Sequence, residues 1–168
     1  LTGEISDSQT IGGTEDHVFG GLSVTIENPR LWDLDDPHLY KAVVKVYENH
    51  NLSDTYVQDF GVRWFEFTTE GFFLNGKNYE LIGGNRHQQY PYIGNAVPNS
   101  LHRKDVVQMK QAGMNMIRLS HYPQDNDFIK ACDELGMLVT EEPPTWNRLG
   151  NEEWQKNLEQ AWRRCIRN

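Results

Sequence analysis

Polar residues suited to binding and catalysis follow three predicted strands in the second half of the chain. They are Asn85, Arg86 and His87 after the first strand, Ser120 and His121 after the second, and Glu141 and Glu142 after the third. In a barrel of parallel strands, functional residues sit at the carboxyl ends of the strands, so we expect one polar cluster. Two histidines there could bind sugar hydroxyls, hold a metal ion, or serve only as packed residues of the rim.

A metal ion is the least supported of these three alternatives. A zinc site requires several protein ligands in a recognisable arrangement. His87, His102 and His121 fit no such motif, and His102 falls in the first turn of a predicted helix. The two cysteines, Cys132 and Cys165, form no Cys-x-x-Cys pair, so the sequence indicates neither a metal centre nor a disulfide framework.

The adjacent carboxylates Glu141 and Glu142 suggest the pair of acids that glycosidases use. Adjacent residues of an extended strand point to opposite faces, however, so the two cannot flank one bond. Arg118 lies within the second predicted strand and, by alternation, faces the barrel interior, where it would require a carboxylate partner. We therefore expect one of the two glutamates to face inward, as a candidate partner of Arg118, and the other outward.

Several aromatic residues fall in predicted loops rather than in strands or helices. They are Tyr90, Tyr92, Tyr122 and Trp146. Flat rings in loops can stack on the apolar faces of sugars, although a single ring is more often a packing anchor.

The first half of the chain reads as short antiparallel strands. Stretches rich in β-branched and aromatic residues predict strands at 22–26, 40–47 and 59–67, separated by turn residues. Apolar and polar residues alternate within them, as in a sheet with one packed face. Residues 1–17 have no periodicity, and we interpret them as a loop or a frayed strand.

Strands and helices alternate in the second half, after a tight hairpin predicted at Asn75-Gly76. Strands are expected at 79–83, 114–119 and 137–140. Helices are expected at 101–112, with Ser100 as the N-cap and Gly113 as the stop, at 128–135, ended by Gly136, and from Asn151 onward. Three such units imply parallel strands, in either a doubly wound sheet or a barrel. No G-x-G-x-x-G leads into a helix, which favours the barrel.

Composition excludes several classes of function. The chain has 168 residues and a net charge of −8, with a sequence pI near 5.2, so neither nucleic acid nor an anionic membrane is an expected partner. A complete barrel needs about 250 residues, so we expect a fragment of a longer protein. The chain opens on Leu1 rather than Met, and we expect its natural start to be missing. Localisation is therefore open between bacterial periplasm, secretion and cytoplasm.

Several motifs, taken in order, resemble one family. Glu27-Asn28-Pro29-Arg30-Leu31-Trp32 and Asp36-Pro37-His38-Leu39-Tyr40 resemble the immunoglobulin-like middle domain of glycoside hydrolase family 2. Asn75-Gly76-Lys77, Gly84-Asn85-Arg86-His87, Asn115 to Arg118, Ser120-His121-Tyr122-Pro123 and Cys132-Asp133-Glu134-Leu135-Gly136 resemble the opening of its catalytic barrel. The resemblance covers roughly residues 20–168.

The resemblance implies an α+β chain in two parts. A partial immunoglobulin-like β-sandwich at 1–68 would precede the first three βα units of a (β/α)₈ TIM barrel at 69–168. It also implies retaining hydrolysis of β-glycosides by two glutamates on barrel strands four and seven. Neither strand is expected here, so the chain would carry no catalytic carboxylate and be inactive alone. Asn151-Glu152 looks like the family's acid/base dipeptide but opens a helix, in the wrong register.

The same resemblance assigns supporting roles to residues of the polar cluster. His87 and His121 match positions that contact the sugar, Arg118 matches an arginine that orients the nucleophile, and Asn85 and Glu142 complete the set. The expected ligand is a terminal β-galactoside. A β-glucuronidase, another family specificity, or a non-catalytic carbohydrate-binding module remain the alternatives. Magnesium is conceivable in the parent protein, yet residues 143–148 do not match its usual ligands. A homo-oligomer is a further expectation.

Overall fold

The computed structural model describes residues 25–145 and 148–167. Within these ranges the chain forms three separate β-sheets and three helices. The predicted loop at 1–17 and most of the predicted strand at 22–26 lie outside the described residues, and residues 25 and 26 are not in a strand. No helix among the described residues is both long and apolar enough to cross a membrane.

The first sheet is an antiparallel ribbon of β1 (Tyr40–Glu48) and β2 (Asn51–Phe60). Its turn holds Asn49 and His50 at φ of 48° and 67°, the positive values that a two-residue type I′ turn requires. The strand expected at 40–47 is confirmed. The single strand expected at 59–67 is wrong, because the chain leaves the ribbon after Phe60. The carbonyl of Val62 instead accepts a hydrogen bond from the amide of Trp32 at 2.8 Å.

The second sheet is an antiparallel meander of β3 (Phe65–Thr68), β4 (Gly71–Leu74) and β5 (Lys77–Tyr79). Asn75 and Gly76 have φ of 51° and 81°, which confirms the hairpin expected between β4 and β5.

The third sheet is parallel and carries the polar cluster. It contains β6 (Gly83–Arg86), β7 (Met116–Leu119) and β8 (Leu138–Thr140), with β7 in the centre. The strand expected at 79–83 is wrong by several residues. The segment before β6 is held by the Asn115 side chain, which accepts from the Ile82 amide and donates to the Glu80 carbonyl, both at 2.8 Å.

Helices α1 (Asn99–Gln111), α2 (Asn126–Leu135) and α3 (Glu152–Arg167) follow the three strands in turn. Ser100 is not the N-cap of α1, because the helix begins directly after Pro98 and its cap makes no side-chain hydrogen bond. Asp125 caps α2 through the amide of Asp127, and Gly136 ends that helix at φ of 70°. Asn151 caps α3 as expected, accepting from the amide of Trp154 at 3.0 Å.

Two apolar clusters hold these elements together. The first joins the parallel sheet to α1 and α2 and consists of Val106, Ile117, Leu119, Phe128, Ala131, Cys132 and Met137. The second joins the segment before β1 to the meander and consists of Trp32, Leu34, Phe72 and Leu74. Burial of these side chains provides most of the favourable free energy of folding.

Trp32 connects the second cluster to the parallel sheet. Its side chain is 1% exposed, and its indole Nε1 donates to the carbonyl of Asp133 in α2 at 2.7 Å. The Arg63 guanidinium lies 4.3 Å from the centre of the indole ring. Beside it, the Leu34 carbonyl approaches Gly136 so closely that a Cβ there would lie 2.2 Å from the oxygen. These contacts fix the first half of the chain against the end of α2.

Candidate active-site wall

The candidate site lies at the carboxyl edge of the parallel sheet. Asn85 of β6 pairs in register with Arg118 of β7, and Arg118 pairs with Thr140 of β8. Residues in register on neighbouring strands point to the same face, and Glu142 follows Thr140 by two positions. Asn85, Arg118 and Glu142 therefore share a face, which we call the inner face.

Arg118 makes the carboxylate contact that its position in the strand requires. Its Nε forms a close ion pair with Oε1 of Glu142, and its Nη1 lies 3.4 Å from Oδ1 of Asn85. The other carboxylate oxygen, Oε2 of Glu142, is 2.9 Å from Nδ1 of His121. One glutamate thus neutralises Arg118 and orients His121, and the sequence-based expectation of an inward-facing partner for Arg118 agrees with this geometry.

The environments of Glu141 and Glu142 push their pKa values in opposite directions. The hydrogen bond from His121, followed by the hydrogen bond and charge of Arg118, lowers the pKa of the Glu142 carboxyl. Burial raises the pKa of the Glu141 carboxyl. Glu142 is consequently an anion near neutral pH and accepts hydrogen bonds, which suits positioning rather than proton donation.

The two histidines of the cluster lie side by side. The rings of His87 and His121 are 5.6 Å apart, edge to face, and the ring of Tyr122 is 6.2 Å from His87. The peptide bond between Ser120 and His121 is cis. When Nδ1 of His121 donates to Glu142, Nε2 of the neutral ring is the acceptor nitrogen. The pair can therefore present both donor and acceptor nitrogens to a polyhydroxylated ligand.

Arg86 does not join this cluster, although the sequence groups it with Asn85 and His87. It is 4% exposed and lies on the opposite face of the sheet, beneath α1 and α2. Its Nη2 donates to Oδ2 of Asp105 at 2.7 Å and lies 3.1 Å from Nδ1 of His102, and its guanidinium covers the ring of Phe128 at 3.9 Å. The sequence contained this information, because Arg86 directly follows Asn85 in an extended strand and adjacent side chains point to opposite faces.

The loop aromatics are distributed unevenly around the site. Tyr90 is tied to Asp105, donating from its hydroxyl at 2.8 Å, while Tyr92 is fully exposed at the tip of the loop. Trp146 lies outside the described residues.

Sequence reasoning missed Gln124, which is 7% exposed and contacts Arg86. No periodic pattern marked it, because its contacts depend on the loop that follows β7.

In the part of the chain that the structure describes, histidine, cysteine, aspartate and glutamate side chains form no group of three suited to a metal ion. His102, one of the histidines considered as a ligand, is fully buried beside Phe128. It is thus separated from His87 and His121 by the sheet.

Comparisons with known proteins give a consistent result. The family model described as "Glycosyl hydrolases family 2, TIM barrel domain" matches residues 65–165, and the model described as "Glycosyl hydrolases family 2" matches residues 2–63. A β-galactosidase of Thermoanaerobacterium thermosulfurigenes is 47% identical over 155 residues, covering 90% of this chain and 22% of that protein. A putative β-glucuronidase of Formosa agariphila is 47% identical over 135 residues, covering 79% of this chain and 16% of that protein.

Solved structures of β-glucuronidases are also similar to this chain. Bacteroides uniformis β-glucuronidase 2, covalently bound to cyclophellitol-6-carboxylate aziridine, has a TM-score of 0.74 and 40% identity, covering 83% of this chain and 17% of its own. The chain spans about a fifth of the length of the relatives it matches.

Proposed function

Because this chain belongs to glycoside hydrolase family 2, we propose that it is part of a retaining β-glycosidase that removes terminal β-linked sugars. Membership confirms the resemblance drawn from the motifs, and with it an immunoglobulin-like part followed by the start of a TIM barrel. We also propose that the first part ends near residue 68. The two matched ranges, which meet just before that residue, support this division.

In this proposal the inner face of the sheet is one wall of the sugar pocket. The wall consists of Asn85, His87, Arg118, His121 and Glu142. The observation that carries the proposal is the linked arrangement of Arg118, Glu142 and His121 at the carboxyl edge, where barrel enzymes bind substrate. The imidazoles and the Asn85 amide supply hydrogen bonds to sugar hydroxyls. Arg118 holds the acidic side chain in place and can orient a second carboxylate nearby.

The catalytic carboxylates themselves are proposed to come from other parts of the parent protein. Retaining glycosidases need one carboxyl that is protonated and a second that attacks, about 5 Å apart. Glu142 fits neither role, because its pKa is lowered and both its oxygens are engaged by Arg118 and His121. The covalent complex of the Bacteroides uniformis enzyme supports a covalent route for the family.

We place a neutral sugar first, and galactose within that group because β-galactosidases stand among the relatives. A glucuronide carries a carboxylate, whose burial requires a cationic or hydrogen-bonding partner. Arg118 is already neutralised by Glu142. A β-glucuronide remains the second candidate, because β-glucuronidases stand among the relatives beside β-galactosidases.

Hydrolysis of nitrophenyl β-galactoside, β-glucuronide, β-glucoside and β-mannoside tests the proposal. The chain alone is expected to hydrolyse none of these substrates. The parent protein is expected to cleave one of them at a rate that depends on His121. In the parent protein His121→Asn should lower kcat/KM by about 10- to 100-fold, the usual effect of a misplaced or missing active-site contact. His50→Asn, in the exposed turn between β1 and β2, is the matched control and should leave kcat/KM unchanged.

A parent protein that cleaves none of these substrates would refute the galactosidase and glucuronidase assignments. Binding of galactose to this chain, followed in NMR spectra and abolished in His121→Asn, would then support a non-catalytic carbohydrate-binding module. Cleavage by the chain alone, copurifying with it and lost in His121→Asn, would refute the assignment of the catalytic carboxylates to other parts of the protein.

A further inference from the structure

A buried glutamine connects the loop after β7, which carries His121, to the end of β6, directly before His87. Gln124 is 7% exposed, and both ends of its amide contact Arg86. Its Nε2 donates to the Arg86 carbonyl at 2.6 Å, and its Oε1 accepts from Nη1 of the Arg86 guanidinium. We call these two hydrogen bonds the Gln124 clasp. A neutral amide matches this pair of groups, since it offers a donor to the carbonyl and an acceptor to the guanidinium.

Hydrogen bonds hold the chain on both sides of His87. On one side, the Arg86 carbonyl accepts from Gln124 and also from the amide of Ser120 at 3.0 Å. On the other side, the Gln88 amide donates to the hydroxyl of Tyr122 at 3.0 Å. His87 is exposed between these two fixed neighbours.

The same hydrogen bonds hold the chain on both sides of His121. Ser120, which precedes it, is bonded to Arg86 at the end of β6, and Tyr122, which follows it, is bonded to Gln88 in the loop after β6. Further along, the amide of Asp125 donates to Oε1 of Gln88 at 2.7 Å. These bonds fix the separation of the two backbone segments from which the histidine rings project, and Glu142 orients the ring of His121.

Arg86, to which Gln124 is bonded, lies buried on the face of the sheet opposite the inner face. Arg86 is held there by Asp105, whose Oδ2 accepts from both Nε and Nη2, and by the ring of Phe128. Gln124 is bonded to both the guanidinium and the backbone carbonyl of Arg86. These two hydrogen bonds hold the loop after β7 against the fixed arginine.

We propose that Gln124 is a positioning residue, which sets the relative placement of His87 and His121 through its clasp on Arg86. The geometric part of this inference is independent of the reaction. Its consequence for catalysis rests on the proposed function. Gln124 acts through Arg86 and the loop after β7, so its effect on substrate is indirect.

Gln124→Met tests the clasp, since it keeps the length of the side chain and removes both hydrogen bonds. Gln108→Met, on the exposed side of α1, is the matched control. In histidine side-chain NMR spectra of the folded chain, we expect shifted His87 and His121 signals and a weakened cross-peak between the rings in Gln124→Met only. In the parent protein we expect kcat to fall by about 10- to 100-fold, with a smaller change in KM.

A folded Gln124→Met variant with histidine signals and cross-peak like those of the wild type overturns the proposal. Should that variant lose its native spectrum, Gln124→Glu takes its place, because it retains the acceptor for the guanidinium and replaces the donor to the carbonyl by a carboxylate oxygen that repels it. It too is expected to displace the His87 signal, and an unchanged signal overturns the proposal. A parent protein inactive on every glycoside refutes the proposed function alone, while the spectra still decide the role of Gln124.

Discussion

Trp32→Phe removes the most specific contact between the two halves of the chain. The indole Nε1 donates to the Asp133 carbonyl at 2.7 Å, and the Trp32 side chain is 1% exposed. Leaving a buried acceptor unsatisfied costs about 1–3 kcal/mol. The smaller ring also leaves a cavity, which adds about 1 kcal/mol. We therefore expect the free energy of unfolding to fall by roughly 2–4 kcal/mol, from the sum of these two effects.

Urea unfolding followed by far-UV circular dichroism measures this loss. With a slope of about 2 kcal/mol per molar urea, the midpoint should fall by about 1–2 M. Trp64→Phe is the matched control, because Trp64 is 50% exposed, and it should change the free energy by less than about 0.5 kcal/mol. Equal losses in the two variants, or an unchanged midpoint in Trp32→Phe, would refute the reasoning.

Three other perturbations test separate parts of the structure. Gly136→Ala should lower the melting temperature by several degrees, since φ is 70° and the new Cβ would lie 2.2 Å from the Leu34 carbonyl oxygen. Glu142→Gln should flatten the acid limb of melting temperature against pH, because the neighbouring histidine and arginine lower the pKa of this carboxyl from 4.5, so its stabilisation is lost as pH falls through the lowered pKa. Burial raises the pKa of the Cys132 thiol to about 12, so at pH 8 a thiol reagent should modify Cys165 in the native chain and both cysteines in guanidinium chloride.

The sequence predicted those elements whose local chemistry agrees with the final fold. Asn75-Gly76 forms its hairpin because both residues tolerate positive φ, and Asn151 caps α3 through its own side chain. Strand β2 escaped prediction because its residues are exposed on both faces and lack a buried alternation. Strand β6 was displaced in the prediction because Gly83 and Gly84 resemble turn residues, although a Cβ at Gly83 would lie 1.8 Å from a carbonyl of β7.

Two rules predicted part of the candidate site: functional residues follow the carboxyl ends of parallel strands, and side chains alternate between the faces of a strand. These rules placed Arg118 and one of the two glutamates on one face, and the structure identifies Glu142 as that partner through its ion pair with Arg118. They could not predict Gln124, because its partners are a guanidinium and a carbonyl that only the packed loops bring together. Tertiary contacts of this kind leave no periodic signal in the sequence.

The docking of Trp32 and Leu34 occurs at the end of the parallel sheet opposite to the candidate site. Gly136, which receives the Leu34 carbonyl, precedes β8, whereas Glu142 follows it. Six residues of nearly extended chain, with β8 at their centre, separate the two positions by roughly 20 Å. We therefore expect mutations that reshape the contact around Trp32 to leave the side chains of the inner face in place. On the proposed function, this separation would let the segment before the barrel vary while the proposed sugar wall is kept.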